Sequence, residues 1–91
     1  MNKNNYSNEL VELVSDYIQK YMKINNINTL SADECSEILN RSGILPNNVG
    51  PKKGFNFRQL LRDGRDGNIN LVKGVYQIRP RTRWLISRTD I

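Results

Sequence analysis

Ten of the chain's fourteen Lys and Arg residues fall between Lys52 and Ile91, together with only three of its nine Asp and Glu residues. This segment therefore carries a formal charge of +7, against −2 for residues 1–51. Guanidinium and ammonium groups gathered in this way attract polyanions. Because they are divided between one helix-like and one hairpin-like stretch, the pattern reads as a nucleic-acid footprint. Catalysis has much less to work with. The chain has no histidine, which removes the commonest general base and the commonest metal ligand. Its single cysteine, Cys35, can form neither a thiolate zinc site nor an intramolecular disulfide. Asp63 and Asp66 could in principle hold Mg²⁺, but amid Arg and Gly at a helix end they read as capping or pairing groups. Gly64-Arg65-Asp66-Gly67 lacks the Lys-Ser or Lys-Thr sequel of a phosphate loop and reads as a helix stop and turn. The expectation is a binding protein, not an enzyme, with no metal and no cofactor.

The elements that must position the cations are those of one small domain, since 91 residues support a single modest core. Residues 7–88 are expected to form it, with residues 1–6 and 89–91 flexible. Apolar runs reach three residues at most, so no segment has the length or apolarity of a membrane span or a signal-peptide core. With one cysteine, this points to a reducing compartment, a cytoplasm of prokaryotic type.

Leu10, Leu13, Val14, Tyr17, Ile18 and Tyr21 recur at three- and four-residue steps and predict a helix over Ser7–Lys23, capped by Ser7, with Glu9 and Glu12 near its positive end. Val11 and Met22 fall off that stripe. They read either as additional core or as the seam of a homodimer. After the turn Asn25-Asn26-Ile27-Asn28, Thr29 and Leu30 could make a very short edge strand. Ser31-Ala32-Asp33-Glu34 is a capping box opening a second helix of about eleven residues, with Cys35, Ile38 and Leu39 inward and Gly43 as its stop. Cys35 is then a small core residue rather than a reactive thiol.

Residues 44–54, with two prolines and two glycines, form a connection. From Phe55 a third helix places Phe57, Leu60 and Leu61 on one face and leaves Arg58, Gln59, Arg62 and Arg65 to project elsewhere, with Gly64 and Gly67 ending it. The period then changes. Val75 to Ile78 and Arg83 to Ser87 read as strands joined by the turn Arg79-Pro80-Arg81-Thr82. Ile69, Leu71 and Val72 either pack beneath this hairpin or begin its first strand early. Trp84 is expected to anchor the hairpin against the helices, the alternative being an exposed ring that stacks on bases.

Helix, short strand, helix, helix, strand, basic turn, strand is the layout of a winged helix-turn-helix domain. The chain resembles that class over about residues 7–88, through Leu30, Ser31-Ala32-Asp33-Glu34, the segment Gly54 to Arg62, and Arg79 to Trp84. Its departure is the connection of residues 44–54, eleven residues where three or four are usual. The resemblance implies an α+β fold of three helices followed by a C-terminal β-hairpin wing, with the third helix in a major groove of double-stranded DNA. On that reading Arg58, Gln59 and Arg62 are the base-reading candidates, since Arg can donate twice to guanine and Gln can pair with adenine. Lys52, Lys53, Arg65, Arg79, Arg81 and Arg83 suit phosphate or groove contacts. The implied role is transcriptional regulation or DNA targeting.

Blander readings accompany each assignment. A charge-rich helix is commonly a solvated face, and Arg62 could simply pair with Asp66 four residues on. The same basic face could dock an acidic protein partner, since winged helices serve as protein–protein adaptors too. RNA binding has no single-strand signature here, because Phe55, Phe57 and Tyr76 read as core rather than as a stacking platform.

Overall fold

A computed structural model describes residues 6–48 and 50–90. The elements run α1 (Asn8–Asn25), β1 (Thr29–Ser31), α2 (Ala32–Ser42), α3 (Phe55–Arg65), β2 (Val75–Tyr76) and β3 (Leu85–Ser87). The protein is thus α+β, three helices with a three-stranded antiparallel sheet of order β1-β3-β2. β3 is the central strand. Leu30 faces Ile86 across β1 and β3, and Val75 faces Ile86 across β2 and β3. The short strand before α2 therefore closes the sheet at one edge, and the backbone N–H of Ala32 continues the pairing by donating to the Trp84 carbonyl at 3.1 Å.

The helix ends follow from their cap residues. The Ser7 hydroxyl accepts from the Leu10 N–H at 3.1 Å, and Asn26 closes α1 in the left-handed conformation. At α2 the capping box is complete: Ser31 Oγ accepts from the Glu34 N–H at 3.1 Å while Glu34 Oε1 accepts from the Ser31 N–H at 2.8 Å. Gly43, at φ 81°, ends α2 as expected.

One core joins all six elements. α3 contributes Phe57, Leu60 and Leu61, α2 contributes Cys35, Ile38 and Leu39, and Ile86 enters from β3, all buried. Each such side chain contributes on the order of 2 kcal/mol by leaving water. Burial also pushes the Cys35 thiol up to about 12, since no thiolate is easily accommodated among these apolar neighbours.

Three expectations change. In α1, Val11 and Met22 are core residues together with Val14 and Ile18, whereas Leu13 is 52% exposed, so a self-association seam built on Val11 and Met22 does not exist. α3 runs through Gly64 instead of ending there. The reason is proximity: a Cβ on Gly64 would stand 3.0 Å from the Asn70 carbonyl oxygen and 3.2 Å from Leu71 Cα. Gly67, at φ 86°, follows the helix end. Between α3 and β2, Val72 is core, Ile69 is half-buried and Leu71 is exposed, and none belongs to a strand. The described parts of the chain ends make hydrogen bonds to the body of the domain or within the end itself. Tyr6 donates to the Asn56 carbonyl at 3.0 Å, the Thr89 N–H donates to Gln19 Oε1 at 2.9 Å, and Arg88 holds the Asp90 carboxyl below its ordinary range through a 2.6 Å hydrogen bond. The rest of the expected flexible ends, residues 1–5 and 91, lies outside the described residues.

The long connection between α2 and α3 is ordered by asparagines. Leu45 enters the core, and buried Asn47 accepts from the Gly54 N–H at 2.8 Å while its own N–H donates to Asn40 Oδ1 at 3.1 Å. Asn56 of α3 reaches back to the Pro46 carbonyl at 3.1 Å. These bonds give buried polar groups their partners. They also fix where Lys52 and Lys53 emerge.

Candidate nucleic-acid interface

α3 and the loop between β2 and β3 enclose a groove of about 430 Å³. Arg58, Arg62 and Arg65 line it from the helix, and Arg81 and Arg83 line it from the loop. Asp33, at the start of α2, is its only acidic lining residue among the described residues. A second cleft of about 870 Å³ opens between α2, the connection and α3, and it shares Asp33, Arg58 and Arg62 with the groove while adding Lys52, Lys53 and Glu37. The two depressions thus meet along the Arg58–Arg62 ridge. Together they present seven cations against two carboxylates. Of the nine cationic and amide residues singled out in the sequence, seven converge here. Gln59 and Arg79 line neither depression.

The cations on α3 are held by other parts of the molecule. Arg58 donates through Nη1 to Asp33 Oδ1 at 2.7 Å and through Nη2 to the Lys53 carbonyl at 3.1 Å, fastening α3 to α2 and to the connection. Arg62 lies over the Phe55 ring, 5.4 Å from its centroid, and donates to Gln59 Oε1 at 2.8 Å. Gln59 in turn donates to Asp63 Oδ1 at 3.1 Å. This chain of contacts replaces the anticipated Arg62–Asp66 pair, for Asp66 accepts instead from Arg65 at 3.2 Å. Arg65 also stands over the Trp84 ring at 5.9 Å, so the half-buried tryptophan both packs on the core and carries a cation at the groove wall.

Asp63 and Asp66 do not act as a pair. Asp63 is buried with Oδ2 lacking a hydrogen-bond partner, and its charge adds to burial in raising the Tyr6 hydroxyl pKa. Asp66 is exposed beside Arg65.

The loop from Gln77 to Trp84 is built differently. Its tip is closed by the Thr82 N–H donating to the Arg79 carbonyl at 3.2 Å, with the Thr82 hydroxyl donating to the same oxygen at 2.6 Å. Pro80 then occupies the second turn position and Arg81 the third, where φ is +69°. That is the backbone requirement of a type II turn, a position in which Gly or Asn is favoured. An arginine there is strained by roughly 1 kcal/mol relative to glycine. Among the described residues, no ion pair engages Arg79, Arg81 or Arg83, and all three are exposed. Tyr76, expected as core, is 39% exposed, and Ile78, expected in the first strand, lies beyond it and is 74% exposed.

Asp33 and Gln77 line the groove without having been singled out for it by the sequence pattern. Asp33 had a visible role only as an acid in the first turn of α2. Nothing local connects it to Arg58, twenty-five positions away.

The class these features define is an α+β domain with three helices, a three-stranded antiparallel sheet and a strongly cationic groove between the third helix and the β2–β3 loop. No protein-family model, no curated protein and no solved structure matches the chain. Among the described residues, no helix is long and apolar enough to cross a membrane.

Proposed function

We propose that the protein is a winged-helix module that binds double-stranded DNA, with α3 addressing a major groove and the β2–β3 loop serving as the wing, in transcriptional regulation or DNA targeting in a prokaryotic cytoplasm. The observation that carries this reading is the convergence of five guanidinium groups from two separated segments on one groove. Guanidinium groups on both sides of one groove match a phosphate-lined duplex, whose charge they neutralise with release of counterions. The element order α1, β1, α2, α3, β2, β3 supports the winged-helix assignment.

The geometry also ranks the base-reading candidates. Arg58 would exchange Asp33 for a base, and since the Asp33 side chain is 81% exposed, giving up that ion pair costs at most about 1 kcal/mol. Gln59 would have to abandon buried Asp63, leaving that carboxylate without its hydrogen bond at a cost of roughly 1–3 kcal/mol. Arg62 and Arg58 are therefore the base readers, and Gln59 orients Arg62. Lys52, Lys53, Arg65, Arg81 and Arg83 serve the phosphates.

The test is titration of random and selected duplexes at two salt concentrations. The expected result is a linear fall of log affinity with log salt, with Arg58→Ala or Arg62→Ala eroding preference for the selected duplex more than Arg81→Ala does. Equal losses on both duplexes for all three variants would remove the base-reading assignment. Failure to bind any duplex at low salt, with binding of an acidic polypeptide instead, would overturn the DNA reading in favour of a protein adaptor.

A further inference from the structure

α1 carries a second apolar stripe beside the one it buries. With Val11, Val14, Ile18 and Met22 turned into the core, the spacing of 100° per residue places Leu10, Leu13, Tyr17, Tyr21 and Ile24 on an adjoining arc. Leu10, Tyr17 and Tyr21 are half-buried, one side of each packed against the core, while Leu13 and Ile24 are 52% and 74% exposed. Along one border of this arc the charges are segregated: Glu9, Glu12 and Asp16 in the first half, Lys20 and Lys23 in the second. No residue of α1 lines the cationic groove or the cleft next to it.

We infer that this face is a dimer interface between two copies of the chain, with the α1 helices packed antiparallel about a two-fold axis at Tyr17. Placing the axis there sets Leu10 of one copy against Ile24 of the other, Leu13 against Tyr21, and Tyr17 against its own counterpart. The charges obey the same centre. A perpendicular two-fold brings like borders of two antiparallel helices together, so Glu9 and Glu12 meet Lys23 and Asp16 meets Lys20 of the second copy. A parallel pairing would put the charged border of each helix beside the uncharged border of the other and lose this match. An isologous contact of this kind is self-complementary by symmetry. Five side chains per copy make a small interface, so the dimer is expected to be weak and to dissociate on dilution. The inference does not depend on DNA binding, and it leaves both cationic grooves open.

Sedimentation equilibrium from about 1 to 500 μM should show mass rising from 10.6 kDa towards twice that value, and Leu13→Glu should abolish the rise while circular dichroism stays unchanged. Cysteine cross-linking tests the geometry, because buried Cys35 stays silent under native conditions. Tyr17→Cys should form a disulfide-linked dimer under mild oxidation. Leu10→Cys should not, its two sulfurs lying on the order of 20 Å apart in the antiparallel arrangement, whereas the Leu10→Cys, Ile24→Cys double variant should. A mass fixed at that of the monomer throughout the range would overturn the inference, and so would Leu10→Cys linking to itself as readily as Tyr17→Cys.

Discussion

The two walls of the cationic groove hold their arginines in opposite ways. On α3 each guanidinium has an intramolecular partner: Arg58 with Asp33 and the Lys53 carbonyl, Arg62 with Gln59 and the Phe55 ring, Arg65 with Asp66 and Trp84. On the β2–β3 loop, Arg79, Arg81 and Arg83 enter no ion pair among the described residues. The first arrangement restricts rotamers before any ligand arrives, so less side-chain entropy remains to be lost in forming a directed bond. The second leaves mobile charges that meet phosphate wherever it lies. One wall is suited to geometry and the other to charge neutralisation.

The strongest way to break this contrast is to strip the loop. Replacing Arg81 and Arg83 together by alanine should lower duplex affinity roughly 30-fold at moderate salt and reduce the slope of log affinity against log salt by about two, with selected and random duplexes affected alike. The slope is the critical reading. If it changes by less than one while preference for the selected duplex collapses, the loop is reading bases and the division between the walls is wrong.

How much of this was legible depends on whether the deciding contact is local. The α2 boundaries were readable because Ser31, Glu34 and Gly43 act within one helical turn, and the structure realises each bond they imply. Phe57, Leu60 and Leu61 were readable as the inward face of α3 because no competing apolar arc exists on that helix. α1 was different. It has two adjoining apolar arcs, and periodicity alone cannot say which one meets the core; that was decided by α2 and the sheet, which took Val11 and Met22 and left Leu13 outside. Gly64 posed the same difficulty, because a glycine that stops a helix and one that admits a crossing chain look identical in sequence. The partners of the site arginines were the least legible. The local rule offered Asp66 to Arg62, but Gln59, three residues earlier, took it, and Arg58 found Asp33 across the fold.

A smaller effect separates the two roles within the loop itself. Arg81 occupies a left-handed position that glycine fills without strain, so Arg81→Gly should raise stability by about 1 kcal/mol, or several degrees in Tm for a domain of this size. The same change should weaken duplex binding roughly fivefold through loss of one cation. Opposite signs for stability and affinity are expected if the arginine is kept for contact despite its backbone. A variant no more stable than the parent would mean that Arg81 is not strained, and the turn would then offer no sign of function.

The smallest predicted effect concerns Asp33, the one carboxylate shared by both depressions, where two contributions oppose each other. Removing its charge lifts a repulsion against phosphate but also takes away the acid that steadies Arg58 at 2.7 Å. The second contribution is the weaker, because the carboxylate is largely in solvent and the Lys53 carbonyl still holds the same guanidinium from the other side. Asp33→Asn should therefore tighten duplex binding about two- to threefold at low salt and leave it unchanged near 0.5 M, where the Debye length has fallen to about 4 Å. Loss of the first-turn acid should cost α2 less than about 1 kcal/mol, so the folded protein remains available for measurement. If affinity instead falls, and falls equally at both salt concentrations, then Asp33 matters chiefly as the clamp that orients Arg58, and the helical wall depends on its partners more than on its charge.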